Sequence, residues 1–423
     1  MTKAIIVQRH LRNEPSSLAE LKSLAEAAGY DVRAELEQVR RADSRYQIGR
    51  GKLKEIANLV KEHGAAKIIF DNRLKAVQAY NLAKETGVEV ADRFELILEI
   101  FTHRASTREA KLQIRLAKLR HELAHAREKV RLAKMEEQPG FMGLGAYEVD
   151  VYHDAVQRQV HNIQEKLDKI KMKRNLHRKL RKDLGYPFIS LSGYTYAGKS
   201  TLFNSLVEAT VPTGKGLFTT LSTTTRLIDL SNKRALLTDT VGFIDRLPLT
   251  LIEAFRSTLE ETIFSDLILL VVDASESLEE VERKTATSFD TIQKIGANGI
   301  PVLTALNKID LLPERDVKKR IEALKDSAQH SVPISALFNT NMESLKQELV
   351  KHLNYVQAKF SIPISDEALS FLSWLFNHVD VKCAKYEDDC AVVVFEAKPD
   401  YADKILGRVE HYNGTLQQIV ELT

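Results

Sequence analysis

Apolar residues are spaced along this chain in several rhythms, and each rhythm predicts a different kind of element. Over the first hundred residues, short apolar runs alternate with stretches of helical spacing. Strands are expected at 4–7, 31–39, 67–70 and 88–90, with helices at 16–28, 52–62 and 74–86 between them. Such alternation predicts a small α/β domain over 1–103, built on a largely parallel sheet. From Leu112 the rhythm changes. Leu112, Leu116, Leu119, Leu123, Ala126, Val130 and Ala133 recur at spacings of four and three, the period of a coiled-coil seam. After a glycine-rich break at Pro139-Gly140-Phe141-Met142-Gly143-Leu144-Gly145, the spacing resumes through Val156, Val160, Ile163, Leu167 and Ile170. Two seams joined by such a break bury against each other, which predicts an antiparallel helical hairpin over 104–185. Thirty residues of helix reach about 45 Å, so its tip projects far from its base.

Beyond residue 186 the pattern is one of short, almost wholly apolar runs at 188–191, 235–237, 267–274, 301–306 and 332–334. Runs of that length predict buried, mostly parallel strands with flanking helices, here over 186–356. The tail, 357–423, reads strand (360–364), helix (366–379), strand (382–386), strand (390–397), helix (400–412), strand (415–422). That β-α-β-β-α-β order predicts a ferredoxin-like α+β module. The fold expected is therefore α/β throughout, in four parts. The run at 267–274 is too short to span a bilayer even with Asp273 excused, and the first residues read as a strand rather than a signal peptide, so a cytoplasmic protein is expected. Cys383 and Cys390, the two cysteines, make a poor metal site and suit a reducing compartment.

Charge sharpens the picture of the hairpin. The whole chain carries only +3, yet residues 104–183 hold twenty Lys/Arg against eleven Asp/Glu. The basic surplus is confined to that segment and points to a polyanionic partner there. A solvated coiled coil would also carry such charges. Phe141, Met142 and Tyr147 at the glycine-rich tip favour RNA, since aromatic and basic side chains together suit both phosphates and unpaired bases.

The chemistry is concentrated in the third part. Gly193-Tyr194-Thr195-Tyr196-Ala197-Gly198-Lys199-Ser200 fits G-x-x-x-x-G-K-[ST], with an apolar run before it and a helix expected from Thr201 after it. Glycines let main-chain N–H groups wrap phosphates, and the helix N-terminus adds positive potential. Lys199 is expected to bridge β- and γ-phosphate oxygens, and the Ser200 hydroxyl to ligate Mg²⁺. Asp239-Thr240-Val241-Gly242 then ends a strand in D-x-x-G, placing Asp239 to hold Mg²⁺ and the Gly242 N–H to sense the γ-phosphate. The threonine-rich stretch 217–225 lies between the two as a first switch. Thr220 is favoured to complete the Mg²⁺ shell, with Thr219 and Thr224 as alternatives. Asn307-Lys308-Ile309-Asp310 predicts guanine selection, because the Asp310 carboxylate can accept from both N1–H and N2–H₂, donors that adenine lacks at that edge. The Lys308 stem can cover the base, and Ser335-Ala336-Leu337 supplies a last contact through main-chain N–H. By contrast, Gly49-Arg50-Gly51-Lys52 lacks the spacer and the hydroxyl of a phosphate loop and reads as a turn opening a helix. These motifs predict Mg²⁺, GTP and GDP as ligands and GTP hydrolysis as the reaction. Lys199, Thr220 and Gly242 would act on the transferred phosphoryl group. Phe243 stands where Ras-like enzymes place a water-orienting glutamine, which predicts slow intrinsic hydrolysis.

Over roughly residues 1–350 the chain resembles the HflX family of ribosome-associated GTPases. The resemblance is carried by Gly193-Tyr194-Thr195, by Leu217-Phe218-Thr219-Thr220-Leu221, by Asp239-Thr240-Val241-Gly242-Phe243, and by a basic hairpin following a small α/β domain. Tyr196 stands where that family usually has asparagine. The resemblance implies binding to the large ribosomal subunit (50S) and its rRNA near the peptidyl-transferase centre, in splitting or rescuing ribosomes. It also implies that Phe218, Thr219, Thr220, Leu221 and Ser222 enclose the nucleotide, with Thr220 as the Mg²⁺ ligand. A nucleotide-regulated protein-binding scaffold and a ribosome-assembly GTPase are the competing readings, and Asp310 disfavours an ATPase. A monomer without DNA specificity is expected.

Overall fold

The computed structural model describes residues 1–14, 16–136, 144–182, 185–207, 224–230, 233–240, 242–243, 261–387 and 389–422. The chain divides into two compact units, the first made of residues 1–170 and the second of the described residues from 171 on.

In the first unit, β1 (Thr2–His10), α1 (Leu18–Ala27), β2 (Tyr30–Val39), α2 (Arg50–His63), β3 (Lys67–Phe70), α3 (Ala76–Thr86), β4 (Glu89–Asp92) and α4 (Arg93–Arg104) follow in order. The strands form one sheet, β2-β1-β3-β4, parallel throughout as the alternation predicts. Ile5, Val7, Ile68 and Phe70 lie in its core, all fully buried. Gly49 caps α2, so the Gly-Arg-Gly-Lys segment does open a helix. Helix α4 was not expected. It begins at a reciprocal cap, in which the Asp92 carboxylate accepts the Glu95 N–H at 3.0 Å and Glu95 reaches back to Asp92 N.

Two long helices, α5 (Arg108–Glu136) and α6 (Leu144–Lys182), follow. Leu116, Leu119, Val156 and Ile163 share one buried cluster, with Leu112, Leu123, Val160 and Leu167 packed on it. Leu112 lies far from the end of α5 and Leu167 equally far into α6, so only antiparallel helices can put both in one seam. The Phe94 and His121 rings stack at 4.7 Å, fixing the base of α5 on α4. Of the expected tip, 139–145, residues 139–143 lie outside the described residues, as do the side chains of Ala126, Val130, Ala133, Leu144 and Tyr147.

The second unit contains β5 (Phe188–Gly193), α7 (Lys199–Val207), β6 (Thr224–Leu230), β7 (Lys233–Asp239), β8 (Leu267–Asp273), α8 (Leu278–Lys294), β9 (Val302–Asn307), α9 (Glu314–Ala323), β10 (Ser331–Pro333) and α10 (Met342–His352). They build a six-stranded sheet, β10-β9-β8-β5-β7-β6, in which only β6 runs antiparallel to its neighbour. Strand β8 is the central apolar run, with every residue from Leu267 to Val272 buried. Then come β11 (Tyr355–Pro363), α11 (Asp366–His378), β12 (Asp380–Glu387), β13 (Cys390–Ala397), α12 (Pro399–His411) and β14 (Thr415–Leu422). Their sheet, β12-β13-β11-β14, is wholly antiparallel, the order of a ferredoxin-like module. Strand β11 starts five residues before the expected 360, because Tyr355 is already buried in the core of the larger sheet while Val356 belongs to the core of the module. Among the described residues, no helix is long and apolar enough to cross a membrane.

Candidate nucleotide site

Every motif residue among the described ones lies at the carboxyl edge of the six-stranded sheet, where parallel strands hand over to loops and ligands collect. Strand β5 ends at Gly193, whose φ of +140° belongs to glycine. A Cβ there would lie 2.2 Å from the Val271 carbonyl oxygen, so the loop passes against β8 with no room for a side chain. Gly198 repeats the logic at φ +93°, where a Cβ would meet the Asn307 amide at 2.3 Å. Asn307 is thus the clamp of the site. Its Nδ2 donates to Ala197 O (2.8 Å) and its Oδ1 accepts from Ala336 N (2.9 Å), tying the phosphate loop to both base-selecting segments.

Lys199 is buried, and its ammonium donates to Gly193 O (3.0 Å) and Tyr194 O (2.7 Å). Burial pushes the group down to about 8, while the Asp239 carboxylate pulls the other way. Ser200 Oγ donates to Asp239 Oδ2 at 3.3 Å. A hydroxyl and a carboxylate converging beside the loop are hard oxygen donors, the set a Mg²⁺ ion takes. Thr195 and Thr240 are buried, the latter donating to Leu191 O at 2.5 Å. Thr201 is half-buried in the first turn of α7. Tyr196 sits at φ +68° with its ring about half exposed at 51%. Gly242 packs against Lys199, and a Cβ on it would come within 2.8 Å of Nζ. Phe243 follows Gly242 directly. It is buried, and its main chain pairs with the phosphate loop through Phe243 N to Gly193 O and Thr195 N to Phe243 O, both 2.9 Å.

At the base-selecting end, Asp310 is exposed and accepts a 2.6 Å hydrogen bond from Ser335 Oγ, which orients the carboxylate. Ala336 is buried, whereas Leu337 is exposed at 69%. Lys308 adopts φ +66°, and its ammonium pairs with Asp273. Asp273 is a site residue missing from the sequence reading. Its signal was a carboxylate closing an otherwise apolar run. Phe218, Thr219, Thr220, Leu221, Ser222 and Val241 lie outside the described residues. Thr224, the other alternative for the Mg²⁺ hydroxyl, begins β6 directly opposite Asp239.

A glycine-wrapped lysine, a serine–aspartate pair, an asparagine clamp and a serine-oriented carboxylate at one sheet edge define a P-loop GTPase. Comparison with known proteins agrees. Family models described as "GTP-binding GTPase N-terminal", "GTP-binding GTPase Middle Region" and "50S ribosome-binding GTPase" match residues 15–102, 104–181 and 188–308 respectively. The GTPase HflX of Methanocaldococcus jannaschii is 41% identical over 403 residues, 95% of this chain and 98% of that one. The GTPase HflX of Thermococcus kodakarensis is 43% identical over 364 residues, covering 84% and 81%. The crystal structure of the SsGBP–GDP complex is similar at 28% identity and a TM-score of 0.50, covering 84% of this chain and 98% of that one. The chain belongs to the HflX family of GTPases. It binds and hydrolyses GTP and is ribosome-associated.

Proposed function

We propose that the protein is a GTP-dependent switch acting on the large ribosomal subunit, in splitting, rescue or a stress response, with four working parts at 1–103, 104–185, 186–356 and 357–423. The observation that carries the nucleotide half is the convergence of Lys199, Ser200, Asp239 and Asn307 at one sheet edge. Ser200, Asp239 and Thr220 would hold Mg²⁺, which supplies charge neutralisation between β- and γ-phosphates when bound. Lys199 leaves its two carbonyl acceptors for the phosphate oxygens. Gly242, already against Lys199, offers its N–H to the γ-phosphate. Water attacks the γ-phosphorus, the bond to the β-bridging oxygen breaks, and GDP and phosphate result. No side chain at position 243 can orient that water, so hydrolysis is slow until a partner supplies the missing group.

The basic hairpin supports rRNA as the contact, since its surplus of lysine and arginine lies along two long helices. The test is co-sedimentation with purified 50S subunits. Pelleting is expected with a non-hydrolysable GTP analogue, reduced with GDP, lost with Lys199→Ala, and falling steeply with added salt. Equal pelleting in both nucleotide states would exclude the switch, and salt-insensitive pelleting would exclude a phosphate-dominated contact.

A further inference from the structure

Strands β6 and β7 make an antiparallel hairpin whose two ends do different things. At one end Thr224 faces Asp239, and at the other Leu230 faces Lys233. The first end belongs to the nucleotide site, since β6 follows the first switch stretch and β7 closes on D-x-x-G. The hairpin forms the edge of the sheet and pairs within it with β5 alone, from Phe188↔Leu236 to Leu191↔Asp239, while α7 and α10 pack on its apolar face. Its far end extends beyond that pairing.

That far end is gripped. The Lys233 side chain is only 9% exposed, pairs with Glu396, lies 3.1 Å from Asp380, and sits 4.3 Å from the Tyr355 ring centroid. Tyr355, Asp380 and Glu396 come from β11, β12 and β13, so three strands of the ferredoxin-like module share one lysine of the GTPase sheet. Gln357 steadies the arrangement by donating to Glu396 at 3.2 Å. A second pair, Lys398 with Asp266 at 2.6 Å, meets the sheet ahead of β8 instead. Between these contacts the seam is loosely filled. A cavity of about 430 Å³ opens beside Lys233, lined by Tyr186, Arg234, Phe376, His378 and Tyr401, and the two apolar cores remain separate. Charged tethers across an open seam can alter their geometry at less cost than a packed core can.

We propose that Lys233 couples the C-terminal module to the nucleotide site. The module holds one end of a hairpin whose other end presents Asp239, so docking of the module sets how firmly magnesium and nucleotide are held. By reciprocity, the bound nucleotide sets how firmly the module is docked. Lys233 is a positioning residue that acts through β7. The inference rests on Asp239 serving the nucleotide site.

The test is release of a fluorescent GDP from the full-length protein, followed by stopped flow with and without Mg²⁺. Lys233→Met should speed release about tenfold in Mg²⁺, within the usual range of coupling between sites. Glu396→Gln should act in the same direction without leaving a buried carboxylate unpaired, and Lys233→Arg should restore slow release. Because the route ends at Asp239, the difference should vanish when EDTA removes magnesium, a result that simple loosening of the fold would not give. Lys398→Met should change release about twofold or less. Release by Lys233→Met and Glu396→Gln within about twofold of wild type would overturn the coupling, as would equal effects of Lys233→Met and Lys398→Met. No binding of the fluorescent GDP by wild type would instead sink the nucleotide reading.

Discussion

At the carboxyl edge of the N-terminal sheet, side chains close the space. Arg93 is buried between Asp71 at 2.6 Å and Glu20 at 3.0 Å, and Ser17 Oγ donates to Asp71 at 2.7 Å. At the carboxyl edge of the six-stranded sheet, main chain takes that place, wrapped by Gly193 and Gly198 at positive φ around Lys199. Both sheets are built from βα units, and both contain a Gly-x-Gly or Gly-Lys segment. The glycines of the Gly-Arg-Gly-Lys segment use none of their freedom, for Gly49 sits at φ −76° and Gly51 lies within α2. A parallel sheet therefore does not make a phosphate site by itself. The difference lies in whether the strand-to-helix turn bends through conformations that only glycine adopts cheaply.

The contrast can be broken by exchanging what each edge loses. Lys199→Ala should lower single-turnover GTP hydrolysis by about a thousandfold, the scale of losing one preorganised charge at the reacting phosphate. Lys52→Ala, at the look-alike segment, should leave that rate unchanged. Arg93→Met should cost about 3–5 kcal/mol in the first urea transition of the full chain, because the buried Asp71 and the part-buried Glu20 both lose their cation. Its GDP affinity should stay at the wild-type value. Asp310→Asn should weaken GDP about a hundredfold by calorimetry, since the amide cannot accept from both guanine donors.

The smallest effect concerns the C-terminal module. Burial pushes the Asp380 carboxyl up, but Lys382 and Lys233 outweigh it and hold the group below its ordinary 3.8. A depressed carboxyl contributes stability that is complete above 3.8 and is lost as pH falls through the lower folded value. The thermal midpoint of the full chain should therefore drop below about pH 4, with a shallower drop in Asp380→Asn.

What the sequence made legible follows from the same physics. The phosphate loop, D-x-x-G and N-K-x-D could be read because glycine, lysine and carboxylate spacings answer to a ligand rather than to packing. The hairpin seam was readable because Leu112 to Leu167 keep one period on one face. Helix α4 was not. Phe94, Leu96, Ile97, Leu98, Ile100 and Phe101 are buried on almost every side, so no polar face marks a helical rhythm. Strand β6 escaped notice because Thr224 and Thr225 extend a threonine-rich stretch that reads as loop. Its pairing with β7 is a tertiary fact. The Lys308–Asp273 pair and the grip on Lys233 join residues distant in sequence and leave no local trace.

The central claim is that a carboxylate clamped at one sheet edge selects guanine for a glycine-walled phosphate site. Isothermal titration of the pure protein with GDP and with ADP, each with Mg²⁺, measures it directly. GDP should bind at least about a thousandfold more tightly, as expected when a positioned carboxylate is matched by one base and left unpaired by the other. Affinities for GDP and ADP within about tenfold of each other would contradict the account.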